Sequence, residues 1–211
     1  VHTIEHSVRS EVVVNKKPYP LPFESAEVVA KEVDKMLALG IIEPSQSPYN
    51  SPIVLVKKPD GSVRFCIDFR GLNQVTLFDS EPIPDPEVLF VSLKDQVVFT
   101  RFDIAKGYWQ VPLAEKDKEK TAFQTPKGLF QFTKMPFGMS TAPSTFARMM
   151  RQLNLHECGS ISFFDDILVA SPDWETHLLS VDKLLSRLTD FGLTVRPSKV
   201  EAGFEEIEFL G

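Results

Sequence analysis

The sequence predicts an α+β fold, because hairpin and helix patterns follow one another without the strict alternation of a doubly wound sheet. Three segments combine two β-rich runs with a turn signal between them, and three others carry helix start signals or helical apolar spacing. With 211 residues, the chain can form one large domain or two small ones, each with a buried core.

Three helices are predicted from start signals and apolar spacing. The first covers residues 25–39 and ends before Gly40, and the second covers residues 144–153, directly after a proline. The third is long, opens at Ser171-Pro172 and ends before Gly192. Its predicted buried stripe consists of Leu178, Val181, Leu184, Leu185 and Leu188.

The strands are predicted from β-rich runs and the turns between them. Residues 51–69 indicate a hairpin that turns at 59–62, and residues 121–135 indicate another that turns at 126–128. Between these hairpins lies a single β-rich run at 97–104.

Composition matches an ordinary globular protein, with 43% hydrophobic and 25% charged residues. No apolar run approaches the roughly 20 residues that span a bilayer, and the first ten residues lack the apolar core of a signal peptide. Because Cys66 and Cys158 lie far from any zinc-ligand pattern, we expect reduced thiols in an intracellular protein.

The overall charge argues against a nucleic-acid binder, since the net charge is −6 and the pI is about 5.3. Basic residues nevertheless cluster at positions 57, 58, 64 and 70. Lysines also recur at every second position from 116 to 120, but acidic residues alternate with them. We interpret this second run as a solvated helix face or loop.

The most informative hairpin is SISFFDDILVAS, residues 160–171, with Asp165-Asp166 at its predicted tip. A two-residue hairpin loop needs positive φ, which two aspartates provide poorly. Adjacent carboxylates between apolar strands also repel each other, and a divalent cation would stabilise their ionised forms. The alternative is a solvent-exposed turn that tolerates two aspartates.

Asp103 lies near the end of the β-rich run VVFTRFDI. If this run neighbours the Asp165-Asp166 hairpin in one sheet, three carboxylates converge at one edge, and such hard oxygen ligands suit Mg²⁺. Two ions about 4 Å apart can activate a hydroxyl and stabilise a leaving pyrophosphate. Taken alone, an aspartate at a strand end is more often a cap or turn residue.

Six blocks in this order resemble the reverse transcriptase domain of gypsy-type long-terminal-repeat retrotransposon Pol polyproteins. Any one block is moderately specific, whereas all six in order, over residues 14–211, are highly specific. The blocks are SPYNSPIVLVKKPDGSVRFCIDFRGLN, RFDIAKGYWQVPL, KTAFQTPKGLFQFTKMPFGMSTAPSTFARMM, FFDDILVAS, FGLTVRPSK and FLG.

The resemblance implies a right-hand polymerase whose antiparallel palm sheet packs on helices. It assigns residues 1–77 to an N-terminal lead-in and fingers, 78–110 to the first part of the palm, 111–141 to a second part of the fingers, and 142–211 to the second part of the palm. We expect the thumb to be absent here, with thumb, connection and ribonuclease H segments belonging to a longer polyprotein.

The resemblance also implies the catalytic site. Asp103, Asp165 and Asp166 match the catalytic, metal-binding carboxylates, and the Ile104 backbone matches a further contact to the second of two Mg²⁺ ions, for which Mn²⁺ can substitute. Residues that match primer and template contacts are Phe163, in place of the commoner Tyr, together with Phe164, Phe209, Leu210 and Gly211.

Six further positions match nucleotide-binding residues of this family. Tyr108 matches the aromatic residue beneath the incoming sugar, where its ring would exclude a 2′-hydroxyl, and Lys199 matches a proton donor to pyrophosphate. From the residues alone, a core tyrosine and a surface lysine are the simpler interpretations. The remaining positions are Lys58, or alternatively Lys57, and Arg64 for the triphosphate, and Phe137 and Gly138 for the nascent base pair.

The implied function is RNA-directed DNA polymerisation, in which deoxynucleoside triphosphates extend a primer on an RNA or DNA template without a membrane partner. We expect an intracellular location, in the cytoplasm or a virus-like particle. The alternative is a catalytically silent retroelement remnant that binds nucleic acid or protein. Tyr108 disfavours an RNA-dependent RNA polymerase.

Overall fold

Helices and antiparallel strands follow one another irregularly in the computed structural model, which describes residues 4–22, 25–57, 59, 61, 63–82 and 85–209. The helices are α1 (Ser25–Ala38), α2 (Arg70–Val75), α3 (Pro86–Val91), α4 (Ala142–Gln152) and α5 (Trp174–Asp190). The strands are β1 (Ile42–Pro44), β2 (Ile53–Lys57), β3 (Val63–Ile67), β4 (Val98–Asp103), β5 (Phe123–Thr125), β6 (Gly128–Phe132), β7 (Ser160–Phe163), β8 (Asp166–Ser171) and β9 (Glu201–Phe204). The predicted α+β class is confirmed.

The chain divides into two units. The first consists mainly of Ser80–Gln110 and Pro143–Gly211, and we call it the carboxylate unit. The second consists of Glu5–Asp79 and Val111–Ala142, and we call it the hairpin unit. Within the described residues, no helix is both long and apolar enough to cross a membrane.

The hairpin unit contains the two hairpins that the turn signals predict. Strands β2 and β3 pair across the first turn and form a two-stranded sheet. Strands β5 and β6 pair across the second turn, and β6 also pairs with β1, which gives a sheet of order β1-β6-β5. Phe123 is fully buried and contacts the rings of Phe65, Phe130 and Phe132. Helix α1 buries Val29, Val33 and Met36, as its spacing predicts.

The carboxylate unit is built on an antiparallel sheet with the strand order β7-β8-β4-β9. Apolar residues on both sides of β8, Ile167, Leu168 and Val169, are almost completely buried. Helix α5 packs against β8 and β4, and its first turn is capped by Asp173, whose carboxylate accepts a hydrogen bond from Thr176 N at 2.8 Å.

The buried face of α5 differs from the predicted stripe. Leu178 and Leu185 are 55% and 40% exposed, so their assignment to the core was wrong. The buried residues are His177, Leu184 and Leu188, which lie seven and four residues apart along the helix. His177 takes the first position on the face because two hydroxyls from the sheet satisfy its ring nitrogens.

Candidate active site

Asp103 and Asp166 lie directly opposite each other at one edge of the sheet. They are the last residue of β4 and the first residue of β8, and the antiparallel register pairs them. The neighbouring Asp165 is fixed to the same place, since its carbonyl accepts a hydrogen bond from Ile104 N at 2.9 Å. The register therefore brings three carboxylate residues and Ile104 together.

The tip of the hairpin lies one residue earlier than predicted. Phe163 pairs with Asp166, so the two loop residues are Phe164 and Asp165, and Asp166 is already in β8. Both loop residues are described, and of the two Phe164 alone has a positive φ, 49°. This register removes the need for two aspartates at positive φ and places the unfavourable conformation on a phenylalanine.

Three carboxylates lie at this edge, and the pKa of Asp166 is raised in their presence. Burial raises the pKa of the Asp166 carboxyl above its ordinary value, and the charge of Asp165 raises it further. Asp103 adds to this effect, whereas Arg101 and Lys199 oppose it. A partly buried carboxyl in this environment gains stability in its ionised form from a nearby cation.

Asp103 is already engaged by two basic side chains. Its Oδ2 lies 3.2 Å from Lys199 Nζ, and its Oδ1 lies 3.4 Å from Arg196 Nε. The Oδ1 atom is buried and makes no hydrogen bond within the part of the chain that the structure describes. Arg196 N also donates to the Asp103 carbonyl at 2.9 Å.

The donor set fits a hard divalent cation, although its side chains are not gathered around one point. Within the described ranges, no three acidic, histidine or cysteine side chains form a ready metal-binding group. Asp103, Asp165 and Asp166 nevertheless supply carboxylate oxygens from one sheet edge, and such oxygens are the ligands that Mg²⁺ prefers. The buried Asp103 Oδ1, without a hydrogen bond, is an oxygen that such an ion would satisfy.

Tyr108 lies beside the hairpin tip, in a short 3₁₀ helix at Gly107–Gln110. Its ring packs edge-on against Phe146, with centroids 5.5 Å apart. Burial raises the pKa of its hydroxyl, and the charge of Asp165 raises it further. A Cβ at Gly107 would lie 3.0 Å from the Phe146 ring and 3.5 Å from Asp165 Cβ. The glycine thus permits this close approach.

Three predicted nucleotide-binding residues belong to the hairpin unit. Arg64 is exposed on β3, and Phe137 is 53% exposed. Gly138 has a φ of 91°, which favours glycine, and its carbonyl accepts from Asn73 Nδ2 at 2.9 Å. Lys58 lies outside the described residues.

Comparison with known proteins decides the family. The family model described as "Reverse transcriptase (RNA-dependent DNA polymerase)" matches residues 56–211, well over half of the chain. The chain belongs to the reverse transcriptase family. The predicted resemblance is therefore confirmed.

Relatives of this reverse transcriptase domain include transposon proteins from Drosophila melanogaster. The Pol polyprotein of transposon opus is 36% identical over 99% of this chain, and that of transposon gypsy is 34% identical over 94%. The chain spans 22% and 20% of those two polyproteins. It thus corresponds to about a fifth of each relative.

The fold matches solved reverse transcriptases. The foamy viral protease-reverse transcriptase in complex with an RNA/DNA hybrid gives a TM-score of 0.89 at 23% identity, over 98% of this chain and 28% of that chain. The selenomethionine-labelled prototype foamy virus enzyme gives 0.86 at 26% identity, with the same coverage. These matches confirm the predicted reverse transcriptase fold.

The remaining predicted contacts are those to primer and template. Two lie at the hairpin tip, and the others lie at the end of the described residues or beyond it. In this reverse transcriptase domain, Phe163 and Phe164 stack edge-to-face, with ring centroids 4.7 Å apart. Phe209 is half-buried, and it follows Glu208, whose carbonyl accepts from Arg101 Nη1 at 2.8 Å. Leu210 and Gly211 lie outside the described ranges.

Sequence reasoning missed Gln110 and Arg196. The Gln110 amide pairs with the backbone of Thr194, donating to its carbonyl at 2.8 Å and accepting from its N–H at 2.7 Å. It also donates to the carbonyl of Ala105. Gln110 therefore joins the chain after β4 to the segment that carries Arg196. The family blocks contain both residues, but nothing local to Gln110 reveals its partner Thr194, 84 positions away. Nothing local to Arg196 reveals its partner Asp103.

Proposed function

We propose that this reverse transcriptase domain extends a primer 3′-hydroxyl with deoxynucleotides on an RNA or DNA template. The observation that carries this proposal is the pairing of Asp103 with Asp166 at one sheet edge, with Asp165 held beside them. Foamy viral enzymes of the same fold are described in complex with an RNA/DNA hybrid and with double-stranded DNA. Those complexes support nucleic acid as the partner.

Asp103, Asp165 and Asp166 are the proposed ligands of two Mg²⁺ ions, for which Mn²⁺ can substitute. When bound, the ions would activate the primer hydroxyl and stabilise the leaving pyrophosphate. The Ile104 carbonyl is a further proposed ligand. Ile104 lies opposite Val195 in an antiparallel bridge. The hydrogen bonds of this bridge are made by the flanking residues, from Arg196 N to Asp103 O and from Ala105 N to Thr194 O. The Ile104 carbonyl therefore makes no hydrogen bond to Val195.

The nucleotide contacts are proposed from the family resemblance, and the positions of the described side chains support them. Tyr108 would pack beneath the sugar and exclude a 2′-hydroxyl, and Lys199 would reach the pyrophosphate. In the hairpin unit, the exposed guanidinium of Arg64 suits a triphosphate, together with Lys58. Phe137 and Gly138 would pack on the nascent base pair.

The domain roles follow from the division of the chain. We assign the carboxylate unit to the palm, because it holds all three aspartates, and the hairpin unit to the fingers. The divisions after Gln110 and Ala142 support this assignment. Thumb, connection and ribonuclease H segments are proposed for the longer polyprotein, of which this chain represents a part.

Mg²⁺-dependent primer extension tests the proposal. The unsubstituted chain should extend a DNA primer on an RNA template, and the double variant Asp165→Asn, Asp166→Asn should not. Retained nucleic-acid binding by the inactive double variant would show that the substitutions removed chemistry and left the fold intact. Undiminished extension by the double variant would contradict the site, and no extension by the unsubstituted chain would contradict the activity.

A further inference from the structure

We infer that Lys199 and Arg196 are internal counter-ions of Asp103, which a divalent ion must displace, so these two residues lower the metal affinity of the carboxylates. The inference rests on the proposed function, since it presupposes that these carboxylates bind metal. It goes beyond that function by assigning to Lys199 and Arg196 a role in the metal-free protein.

Each of the two basic side chains contacts a different oxygen of the Asp103 carboxylate. Lys199 Nζ lies 3.2 Å from Oδ2, and Arg196 Nε lies 3.4 Å from Oδ1. Asp103 is only 15% exposed in its side chain, so water alone solvates its charge poorly. The positive charges therefore occupy the place where a metal ion would otherwise neutralise Asp103.

Backbone hydrogen bonds hold the segment that carries Arg196 and Lys199 beside Asp103. Ile104 forms an isolated antiparallel bridge with Val195, and Arg196 N donates to the Asp103 carbonyl at 2.9 Å. A short 3₁₀ helix at Pro197–Lys199 follows directly, with Lys199 N donating to Arg196 O at 3.0 Å. The segment is thus fixed against the end of β4.

Gln110 holds the other end of the same segment. Its side-chain amide makes two hydrogen bonds with the backbone of Thr194, at 2.8 and 2.7 Å, and a third to the carbonyl of Ala105. Since Ala105 lies two residues after Asp103, Gln110 joins the end of β4 to the segment that carries Arg196. Gln110 is therefore a positioning residue for both counter-ions.

The ion pairs are weak enough to be exchanged. The side chains of Lys199 and Arg196 are 53% and 38% exposed, so solvent screens both charges. The Lys199 ammonium lies on a flexible four-carbon stem, which allows it to leave when a divalent ion binds. Arg101 is engaged elsewhere, since its Nε lies 3.0 Å from Glu201 Oε2.

Mn²⁺ binding in the absence of nucleotide tests this inference. Free Mn²⁺ is measured by electron paramagnetic resonance in titrations of the unsubstituted chain, Lys199→Gln and Arg196→Gln. Each substitution should tighten binding about two- to fivefold, the factor expected for removing one exposed competing ion pair. Lys199→Arg, which keeps the charge, should leave the affinity close to that of the unsubstituted chain.

Lys183→Gln is the matched charge control. This lysine belongs to the same unit, but its Nζ donates to the Glu157 carbonyl at 2.6 Å. The control should not change the Mn²⁺ affinity if the effect depends on contact with Asp103. An equal gain in Lys183→Gln would show a general charge effect and overturn the inference, as would unchanged or weaker binding in Lys199→Gln.

Asp103→Asn separates failure of this inference from failure of the proposed function. If the unsubstituted chain binds Mn²⁺ and Asp103→Asn does not, the carboxylates hold the metal, and the Lys199→Gln and Arg196→Gln results decide the counter-ion role of each residue. If Asp103→Asn binds Mn²⁺ as tightly as the unsubstituted chain, the proposed metal site is wrong and the inference falls with it. Thermal unfolding of every variant identifies any loss of fold.

Discussion

His177 Nε2 lies 2.7 Å from Thr100 Oγ1, so a buried histidine of α5 is bonded to the strand that ends in Asp103. The other ring nitrogen, Nδ1, lies 3.1 Å from Ser171 Oγ on β8. Thr100 Oγ1 also accepts from Gly203 N of β9 at 3.1 Å. One imidazole therefore connects α5 to the two central strands, and Thr100 continues the network to the edge strand.

This contact predicts a pH dependence of stability. Burial lowers the pKa of His177 below its ordinary value of 6.5. The unfolded chain therefore binds the proton more readily than the folded chain, and the free energy of unfolding should fall as pH drops below 6.5 towards the folded pKa. His177→Gln should flatten this part of the profile in urea titrations at several pH values. His156→Gln, at an exposed histidine of the same unit, is the control for loss of an imidazole. A slope in His177→Gln equal to that of the unsubstituted chain would contradict the prediction.

Patterns carried by neighbouring residues predicted most of the fold. Helix α1 and the β2–β3 hairpin follow from spacing and turn residues that lie within a few positions of each other. The face of α5 was misassigned because leucines occupy both sides of the helix, and only contacts with the sheet select His177 as a buried residue. Local apolar spacing does not contain that information.

The sequence predicted which three carboxylates meet at one sheet edge, but not the residues around them. Asp103 was expected near the hairpin only if its strand neighboured the hairpin in one sheet, and the pairing of β4 with β8 meets that condition. The loop position of Phe164 depends on cross-strand register, which apolar runs on both sides leave undetermined. Arg196 and Gln110 act through contacts with residues distant in sequence, so no spacing rule reveals them.

A second prediction concerns a buried aspartate in the hairpin unit. The alternating charges at 115–120 were interpreted as solvated, yet Asp117 is 1% exposed and accepts from Val8 N at 3.0 Å. Its Oδ1 also lies 2.6 Å from Lys120 Nζ. Asp117→Ala should lower the free energy of unfolding by about 3 kcal/mol, because it leaves the Val8 amide without an acceptor and removes the counter-ion of Lys120. The Lys120 ammonium keeps its hydrogen bond to the Val8 carbonyl.

Chemical denaturation measures that loss, with Glu119→Ala as the control. Glu119 is exposed in the same short helix, so its truncation should change stability by less than about 0.5 kcal/mol. Equal effects of the two substitutions would show that the Asp117 contacts contribute little.

A third prediction concerns sugar selection by Tyr108. If its ring lies beneath the incoming sugar, Tyr108→Ala should raise ribonucleotide incorporation relative to deoxynucleotide incorporation. We expect a rise of about tenfold or more, because a steric clash that costs about 1.4 kcal/mol corresponds to a factor of about ten. Single-nucleotide extension with each triphosphate measures the ratio. Tyr108→Phe keeps the ring and should keep the discrimination. An unchanged ratio in an active Tyr108→Ala variant would remove the steric role.

The most direct test of the proposed active site is the rate of Mg²⁺-dependent primer extension on an RNA template by Asp103→Asn. We expect a loss of about 100-fold or more, because the substitution removes a charged ligand from the proposed metal site. Asp190→Asn, an exposed aspartate at the end of α5, should retain the full rate. Extension by Asp103→Asn at the rate of the unsubstituted chain would contradict the assignment of this sheet edge as the polymerase active site.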